Sequence, residues 1–298
     1  MVNPAAANPA PAAIAADAPP DVAETMVFAM SDWLLDAQVV QLGLASALNQ
    51  VATLLAQARA GAAGPALEDP AALTLSRAPR EAFLARSERA ALAGAMRRFE
   101  APEWIAQMMP RLDGRVRQFV RPLQIDVRGR INTLRVADGR GGHRRFAGLA
   151  GLAELAEIAR PFLTYLPRQD RRGFVDAVDF VVADPVAANA CEVGRTILVT
   201  DLAVFEFTAR GARALSVHPG VSGQTLRERT PTAVALDGAA TTAPPDAALL
   251  RRLRNAIDPR RVRDIEFAAG TGRREALLRL HAAEAGVRFA RHTSPRQA

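Results

Sequence analysis

The sequence predicts an α/β protein built on an open, mostly parallel sheet flanked by helices. Three observations predict it. Thr196-Ile-Leu-Val-Thr-Asp-Leu-Ala-Val-Phe-Glu-Phe207 and Ala214-Leu-Ser-Val-His-Pro-Gly-Val221 are dense in β-branched residues and punctuated by turn residues at Thr200-Asp201 and Arg210-Gly211, so they read as three buried strands. Gln38-Val-Val-Gln-Leu-Gly43 reads as a short strand ending in a glycine turn, followed by an apolar helix over Leu48 to Arg59. Asp21 to Leu35 places Val22, Met26, Val27, Met30 and Leu34 on one helical face, with Asp21 and Glu24 spaced as a capping box. The strand–turn–helix unit suits a doubly wound sheet, in which ligands sit at the carboxyl ends of strands.

The remaining elements follow in order. Gly61 to Pro70 is a small-residue linker, and Ala72-Leu-Thr-Leu-Ser76 is a strand candidate. Residues 80 to 110 read as helical and Val116 to Val120 as a strand. Pro122 to Val136 forms a hairpin about Arg128-Gly129, and Gly139 to Gly142 a loop. A helix is expected over Leu149 to Ala159, and strands over Phe162 to Leu166 and Asp176 to Val182. A late helix over 241–257 is broken by Asp258-Pro259, and a last one is expected over Arg273 to Ala285. The expected organisation is a Pro/Ala-rich disordered tail (1–20), one α/β domain (21–267) and a partly helical or disordered extension (268–298).

Composition narrows the function classes. All 38 basic residues are arginine, giving a net charge of +7, yet they are dispersed without the interleaved aromatics of a nucleic-acid stacking platform. A solvated face or a subunit rim is the better reading, and no nucleic-acid partner is expected. No run of about 18 uncharged apolar residues occurs, so no membrane partner is expected either. Residues 1–20 lack the charged and apolar regions of a secretory signal, and the single Cys191 precludes an intrachain disulfide. Both point to the cytoplasm. The four histidines have no metal-ligand spacing, so no metal site is expected. His218, before Pro219-Gly220, reads as a turn cap. Ser46 and Ser76 lack a G-x-S-x-G setting, and Gly139-Arg-Gly-Gly142 lacks the G-K-[ST] of a P-loop.

Several short motifs stand in a consistent order: Gln124-Ile-Asp126 with Gly129 and Asn132, Phe174-Val-Asp-Ala-Val-Asp-Phe-Val181, the Val199-to-Phe207 pair, His218-Pro-Gly-Val221 and Ile257-Asp-Pro-Arg260. Over about residues 22 to 267 the chain resembles the family I CoA-transferases, in the β subunit of the glutaconate and 3-oxoacid type. The resemblance implies the CoA-transferase type of open α/β sheet. It also implies an acyl-CoA thioester as substrate, no further cofactor, and a homologous α-type partner subunit. In such transferases a glutamate in an E-S-G loop ends the second strand and attacks the thioester, and glycine-rich loops hold the oxyanions.

The chain departs from that pattern. With Ala72–Ser76 as the second strand, Arg77-Ala78-Pro79 stands in place of E-S-G, and a guanidinium is no nucleophile. Gly43 is followed by Leu44-Ala-Ser-Ala47, Arg121-Pro122 replaces a Gly-Gly, and Gly148-Leu-Ala-Gly151 replaces G-x-G-G. Of the nearest carboxylates, Glu68 and Glu81, Glu68 is at about the right distance from the first helix but reads as a linker residue. The expected function is thus a β subunit acting on an acyl-CoA with its own glutamate missing. The alternatives are a subunit of an acyl-CoA hydrolase, of the similar steroid ring-opening branch, whose carboxylate lies in the α subunit, and a non-catalytic subunit. Gln124, Asp126 and Asn132 are the candidate substrate-binding residues; turn chemistry favours the other reading, that Asp126 and Asn132 bond the hairpin backbone.

Overall fold

The computed structural model describes residues 18–43, 46–69, 73–76, 81–84, 95–100, 102–103, 116–146, 148, 151–188 and 194–285. The tail to residue 17, Arg77–Pro79, Cys191, His292 and most of the helix expected over 80–110 lie outside the described residues. Within them seven α-helices flank open sheets. Helix α1 (Val22–Asp32) starts with the predicted capping box: Glu24 N–H donates to Asp21 Oδ1 (2.8 Å), and Asp21 N–H donates back to Glu24 Oε2 (2.9 Å). Its Met26, Val27 and Met30 are fully buried.

Strand β1 (Val39–Gln41), helix α2 (Ala47–Ala60) and strand β2 (Ala66–Asp69) form a parallel β-α-β unit, with Gln41 opposite Glu68. The linker expected over 61–70 is therefore half strand. The apolar pair Ala66-Leu67 is too short to separate from loop by pattern alone, and pairing with β1 decides it. Next, β3 (Thr74–Ser76) runs antiparallel to β2, and β4 (Arg97–Arg98), in the stretch expected to be helical, pairs with β3. Strand β5 (Val116–Arg117) joins the far side of β1, giving the order β4-β3-β2-β1-β5.

After Gln118 the same extended segment becomes β6 (Phe119–Val120) and edges a second sheet. The hairpin follows as β7 (Gln124–Asp126) and β8 (Ile131–Asn132), then β9 (Arg135–Ala137) and β10 (His143–Arg145). Helix α3 (Leu152–Ile158) leads into β11 (Phe162–Leu166), β12 (Phe174–Val175) pairs with β7, and α4 (Pro185–Ala188) precedes β13 (Thr196–Thr200). Asp176 to Val182, expected as a strand, is a string of bends instead: its N–H groups bond the hairpin, Val178 to Asp126 and Asp179 to Gln124.

The turn at Thr200 is as the sequence predicts, with the Thr200 hydroxyl accepting from the Leu202 and Ala203 N–H groups, both at 3.0 Å. It leads into β14 (Ala203–Thr208) and β15 (Gly211–Val217), and β16 (Ala240–Thr241) completes the order β16-β15-β14-β13-β11-β6. Between β15 and β16 lies α5 (Gly223–Arg229). Phe174 packs edge-to-face on Phe205 and Phe207 at 5.3 and 5.8 Å, fastening the hairpin to this sheet. Gly129 fits here for two reasons: its φ is +78°, and a Cβ would lie 2.8 Å from the Phe207 Cβ. The open, helix-flanked α/β class is the predicted one. In detail the sheets are mixed, because β3 and β4 pair antiparallel in the first sheet and β13–β15 fold back as hairpins in the second, and parallel and antiparallel pairings are equally represented among the described residues.

The chain closes with α6 (Ala247–Arg252), a wider helical turn to Ile257, and α7 (Gly270–Ala285). Between them Arg263, 1% exposed at its side chain, meets Asp258 at 2.9 Å and Glu24 at 2.8 Å, and Arg254 holds the second Glu24 oxygen at 2.8 Å. Burial opposes ionisation of Glu24, but the Arg254 hydrogen bond, the Asp21 N–H and Arg263 outweigh it and hold its carboxyl below the usual range. Burial also pushes Asp258 up, to about 6, against the pull of Arg263. Arg263→Ala leaves Glu24 without one partner and Asp258 without its guanidinium. It should cost about 3–5 kcal/mol, read as a lowered midpoint in urea denaturation; an unchanged midpoint would mean that the network holds nothing.

Candidate functional site

The carboxyl ends of β1 and β2 and the turn into α2 lie side by side. Glu68, fully buried, is the penultimate residue of β2, and its carbonyl accepts the Leu42 N–H at 3.0 Å. It is thus a strand residue and not part of a Gly/Pro linker, and β2 takes the place of the second parallel strand that the sequence pattern put at 72–76. At the turn, Ser46 Oγ donates to the Gly43 carbonyl (2.8 Å). A Cβ on Gly43 would lie 3.0 Å from Ser46 Oγ and 3.5 Å from Gln118 Nε2, so Gly43 sits beside the β5–β6 segment.

The amino end of α2 is capped from a distance. Ser46 makes no side-chain cap bond; Glu266, beyond residue 263 in sequence, accepts the Leu48 N–H at 2.8 Å instead. Both Glu266 oxygens meet the Tyr165 hydroxyl, at 3.0 and 2.9 Å, and Oε2 accepts from Arg121 Nη1 at 3.0 Å. Burial pushes the Glu266 carboxyl up, against Arg121 and these donors. A carboxylate at a helix amino end is favoured by the aligned peptide dipoles and the unpaired N–H groups there. Neither Glu266 nor Arg121 stands out in the sequence as a site residue. Glu266 is 218 residues from Leu48, and no local spacing links them.

The three candidate binding residues converge, but on the hairpin. Asp126 Oδ1 accepts from the Arg128 and Arg130 N–H groups (3.0 and 3.1 Å), and Oδ2 from Arg130 Nε (2.7 Å) and Val178 N–H (3.3 Å). Asn132 donates to Gln124 Oε1 (2.8 Å) and to the Arg135 carbonyl (2.6 Å), while its Oδ1 accepts from Leu134 and Arg135 N–H. All three are buried, and these contacts fold the turn and anchor the 176–182 bends on it. His218 is buried as well, bridging the Thr200 carbonyl through Nε2 and the Thr242 hydroxyl through Nδ1, both at 2.9 Å. Its side chain thus ties the ends of β13 and β16 together, while its carbonyl accepts the Val221 N–H at 3.2 Å and closes the Pro219-Gly220 turn, as the sequence predicts. Glu81, the other carboxylate considered, pairs with Arg260 at 2.5 Å. Among the described residues no three His, Cys, Asp or Glu are grouped to hold a metal ion, and no helix is long and apolar enough to cross a membrane.

Comparison with solved structures assigns the fold. The decarboxylase AibA/AibB superposes with a TM-score of 0.69 at 29% identity, over 82% of this chain and 97% of that one. The chain has the family I CoA-transferase fold. Glutaconate coenzyme A-transferase from Acidaminococcus fermentans matches with a TM-score of 0.68 at 20% identity, over 80% and 95% of the two chains. IpdAB of Rhodococcus jostii RHA1 matches at 0.68 and 22%, over 84% and 99%. No family model and no curated protein matches the sequence. In open α/β sheets generally, ligands bind in the crevice outside the carboxyl ends of the strands.

Burial holds the His218 imidazole below its ordinary value of 6.5, against the Thr200 carbonyl, which favours the charged ring. The unfolded chain therefore takes up a proton that the folded chain refuses. This contribution to stability is complete above pH 6.5 and is lost as the pH falls from there through the depressed folded value. Buried carboxyls that titrate high, such as Asp258, slope the other way, so the difference between wild type and His218→Gln isolates the histidine. The wild-type melting temperature should drop relative to the variant between about pH 6.5 and 5; parallel curves would place the imidazole in contact with water.

Proposed function

We propose that this chain is the β-type subunit of a CoA-transferase-like enzyme acting on an acyl-CoA thioester, with Glu68 as the carboxylate that engages the acyl group. One observation carries the reading: Glu68 is a buried carboxylate one residue short of the end of the second parallel strand, beside the β1–α2 turn. A linker at that position would leave the chain without a nucleophile, and the linker is a strand. A homologous α-type subunit would complete the site, in the cytoplasm; the two-component names AibA/AibB and IpdAB support a two-subunit enzyme. Gln124, Asp126 and Asn132 then serve as the scaffold of the adjoining hairpin.

In this reading the Glu68 carboxylate adds to the thioester carbonyl and expels CoA as the thiolate, leaving an acyl-glutamyl anhydride. The thiolate then attacks the glutamyl carbonyl, which releases the acyl group as a carboxylate and leaves a glutamyl-CoA thioester. Pro122 has no N–H to offer a developing oxyanion, so donors elsewhere must do so. The 29% identity to the decarboxylase AibA/AibB favours a second reading, in which the same site releases CO2 and no adduct forms.

The test is reconstitution with the product of the neighbouring reading frame. With acyl-CoA present, mass spectrometry should find a hydroxylamine-sensitive CoA adduct on Glu68. The isosteric Glu68→Gln should lose it and reduce turnover by at least about 10³-fold without lowering the melting temperature. An adduct on the partner would instead favour the hydrolase alternative, and CO2 release without any adduct the decarboxylase. A stable monomer with no affinity for acyl-CoA would leave the non-catalytic reading.

A further inference from the structure

The β9–β10 ribbon stands apart from the other sheets. Its strands pair only with each other: Arg135 with Arg145, Val136 with Arg144 and Ala137 with His143. Two strands alone are marginal in water, so such a ribbon needs further support. At its root Ala137 N–H donates to Asp179 Oδ2 (2.8 Å), and the Arg135 guanidinium lies over the Phe180 ring at 4.3 Å. At its tip Asp138 Oδ1 accepts from the Arg140 and Gly142 N–H groups (2.8 and 2.9 Å). A Cβ on Gly139 or Gly141 would meet no atom within 4 Å. The tip therefore projects into open space.

Its charges are left unmatched. Arg135, Arg140, Arg144 and Arg145 are all exposed, and among the described residues none of their guanidiniums forms a hydrogen bond or an ion pair. Several other exposed arginines find carboxylates, as Arg97 does with Glu103, Arg171 with Asp176 and Arg172 with Asp170. Here the acids at hand, Asp138 and Asp179, are taken up by backbone N–H groups. Residues directly opposite in an antiparallel pair share a face, so Arg135 and Arg145 stand side by side, next to His143. Like charges so placed destabilise the pair. Arg144 lies on the other face, over the Phe146 ring at 5.2 Å. The ribbon thus carries positive charge on both faces and at its tip, against its own stability.

We propose that this ribbon is the arm by which the chain docks into a carboxylate-lined cleft of its α-type partner subunit. The inference rests on the two-subunit reading above. Charge on both faces suits insertion between two walls better than contact with one flat surface. A second copy of this chain fits poorly, because it brings the same ribbon and a net charge of +7. Nucleic acid fits less well than protein. The rings that could stack bases, Phe146 and Phe180, are half-buried and covered by Arg144 and Arg135. Those ring contacts also hold two guanidiniums in place before a partner arrives. A planar guanidinium matches a carboxylate in two parallel hydrogen bonds, and charges of this kind speed encounter and fix its register.

The experiment uses the full-length chain and the product of the neighbouring reading frame. Surface plasmon resonance at low and high salt compares wild type with Arg145→Glu, Arg140→Glu and Arg210→Glu, the last an equal change of charge at the β14–β15 turn. Arg145→Glu sets opposite charges across the ribbon, so its melting temperature should hold or rise while its affinity for the subunit falls by about tenfold or more at low salt. Arg140→Glu should weaken binding too, and Arg210→Glu should bind as wild type does. The wild-type association rate should fall with salt more steeply than that of either ribbon variant. Unchanged binding by both ribbon variants would overturn the inference. So would an equal loss in Arg210→Glu, which would reveal a response to net charge alone. A single-stranded oligonucleotide that binds wild type and not Arg145→Glu, with subunit binding intact in both, would make the ribbon a nucleic-acid element instead. If wild type binds no such subunit, the two-subunit reading falls and takes the inference with it; binding indifferent to the ribbon charges overturns the inference alone.

Discussion

The buried ion cluster around Arg263 is the constraint on which the rest of the molecule hangs. One guanidinium, almost out of contact with water, is shared by Glu24 of α1 and Asp258 of the turn after α6. Burying such charges costs several kcal/mol per ion unless each is matched, and a full set of partners makes one chain arrangement much better than its neighbours. The cluster fixes the C-terminal segment against the first helix, although 239 residues separate Arg263 from Glu24. Glu266 is three residues further on. Its place at the amino end of α2 is thus inherited from the cluster, and the orientation of Arg121 is inherited from Glu266.

That chain of dependence explains why the two sheets meet as they do. A short segment, Val116 to Val120, is an edge of the first sheet and then of the second. Its far end is tied by Arg121 to Glu266, and Glu266 to Tyr165 of β11 and to α2. Strand ends, a helix amino end and a half-exposed cation come together because a single buried carboxylate satisfies donors from three elements. Nothing comparable surrounds Gln124, Asp126 and Asn132, whose polar atoms are engaged within the hairpin and its neighbouring bends. Placing three polar residues close together is a requirement of a tight hairpin before it is a sign of a ligand.

Much of this is legible in the chain itself. The capping box of α1, the Thr200 turn, the Gly129 hairpin and the β1–α2 unit are local: each depends on contacts within about five residues or on one strong periodicity. Of these, the Gly129 hairpin and the Val199-to-Phe207 pair that the Thr200 turn joins also carry the resemblance to the family whose fold the structure has. Glu68 is misleading for a local reason too. Ala66-Leu67-Glu68 is brief, lies among glycines and prolines, and carries no β-branched residue, so its strand character arises entirely from hydrogen bonds to β1 and β3. The stretch at Asp176 to Val182 errs the opposite way. Its valines and phenylalanine resemble a strand, but its backbone donors are taken up by hairpin side chains.

By itself the sequence determined the class of fold, the order of its elements and the turns that join them, because periodicity, caps and glycine positions act over short distances. Tertiary structure alone decided that Glu68 belongs to a parallel strand, that Glu266 caps α2, and that Arg121 pairs with Glu266. Each of these depends on partners tens to hundreds of residues away. Burial and electrostatic pairing select such partners only once the chain has closed around them.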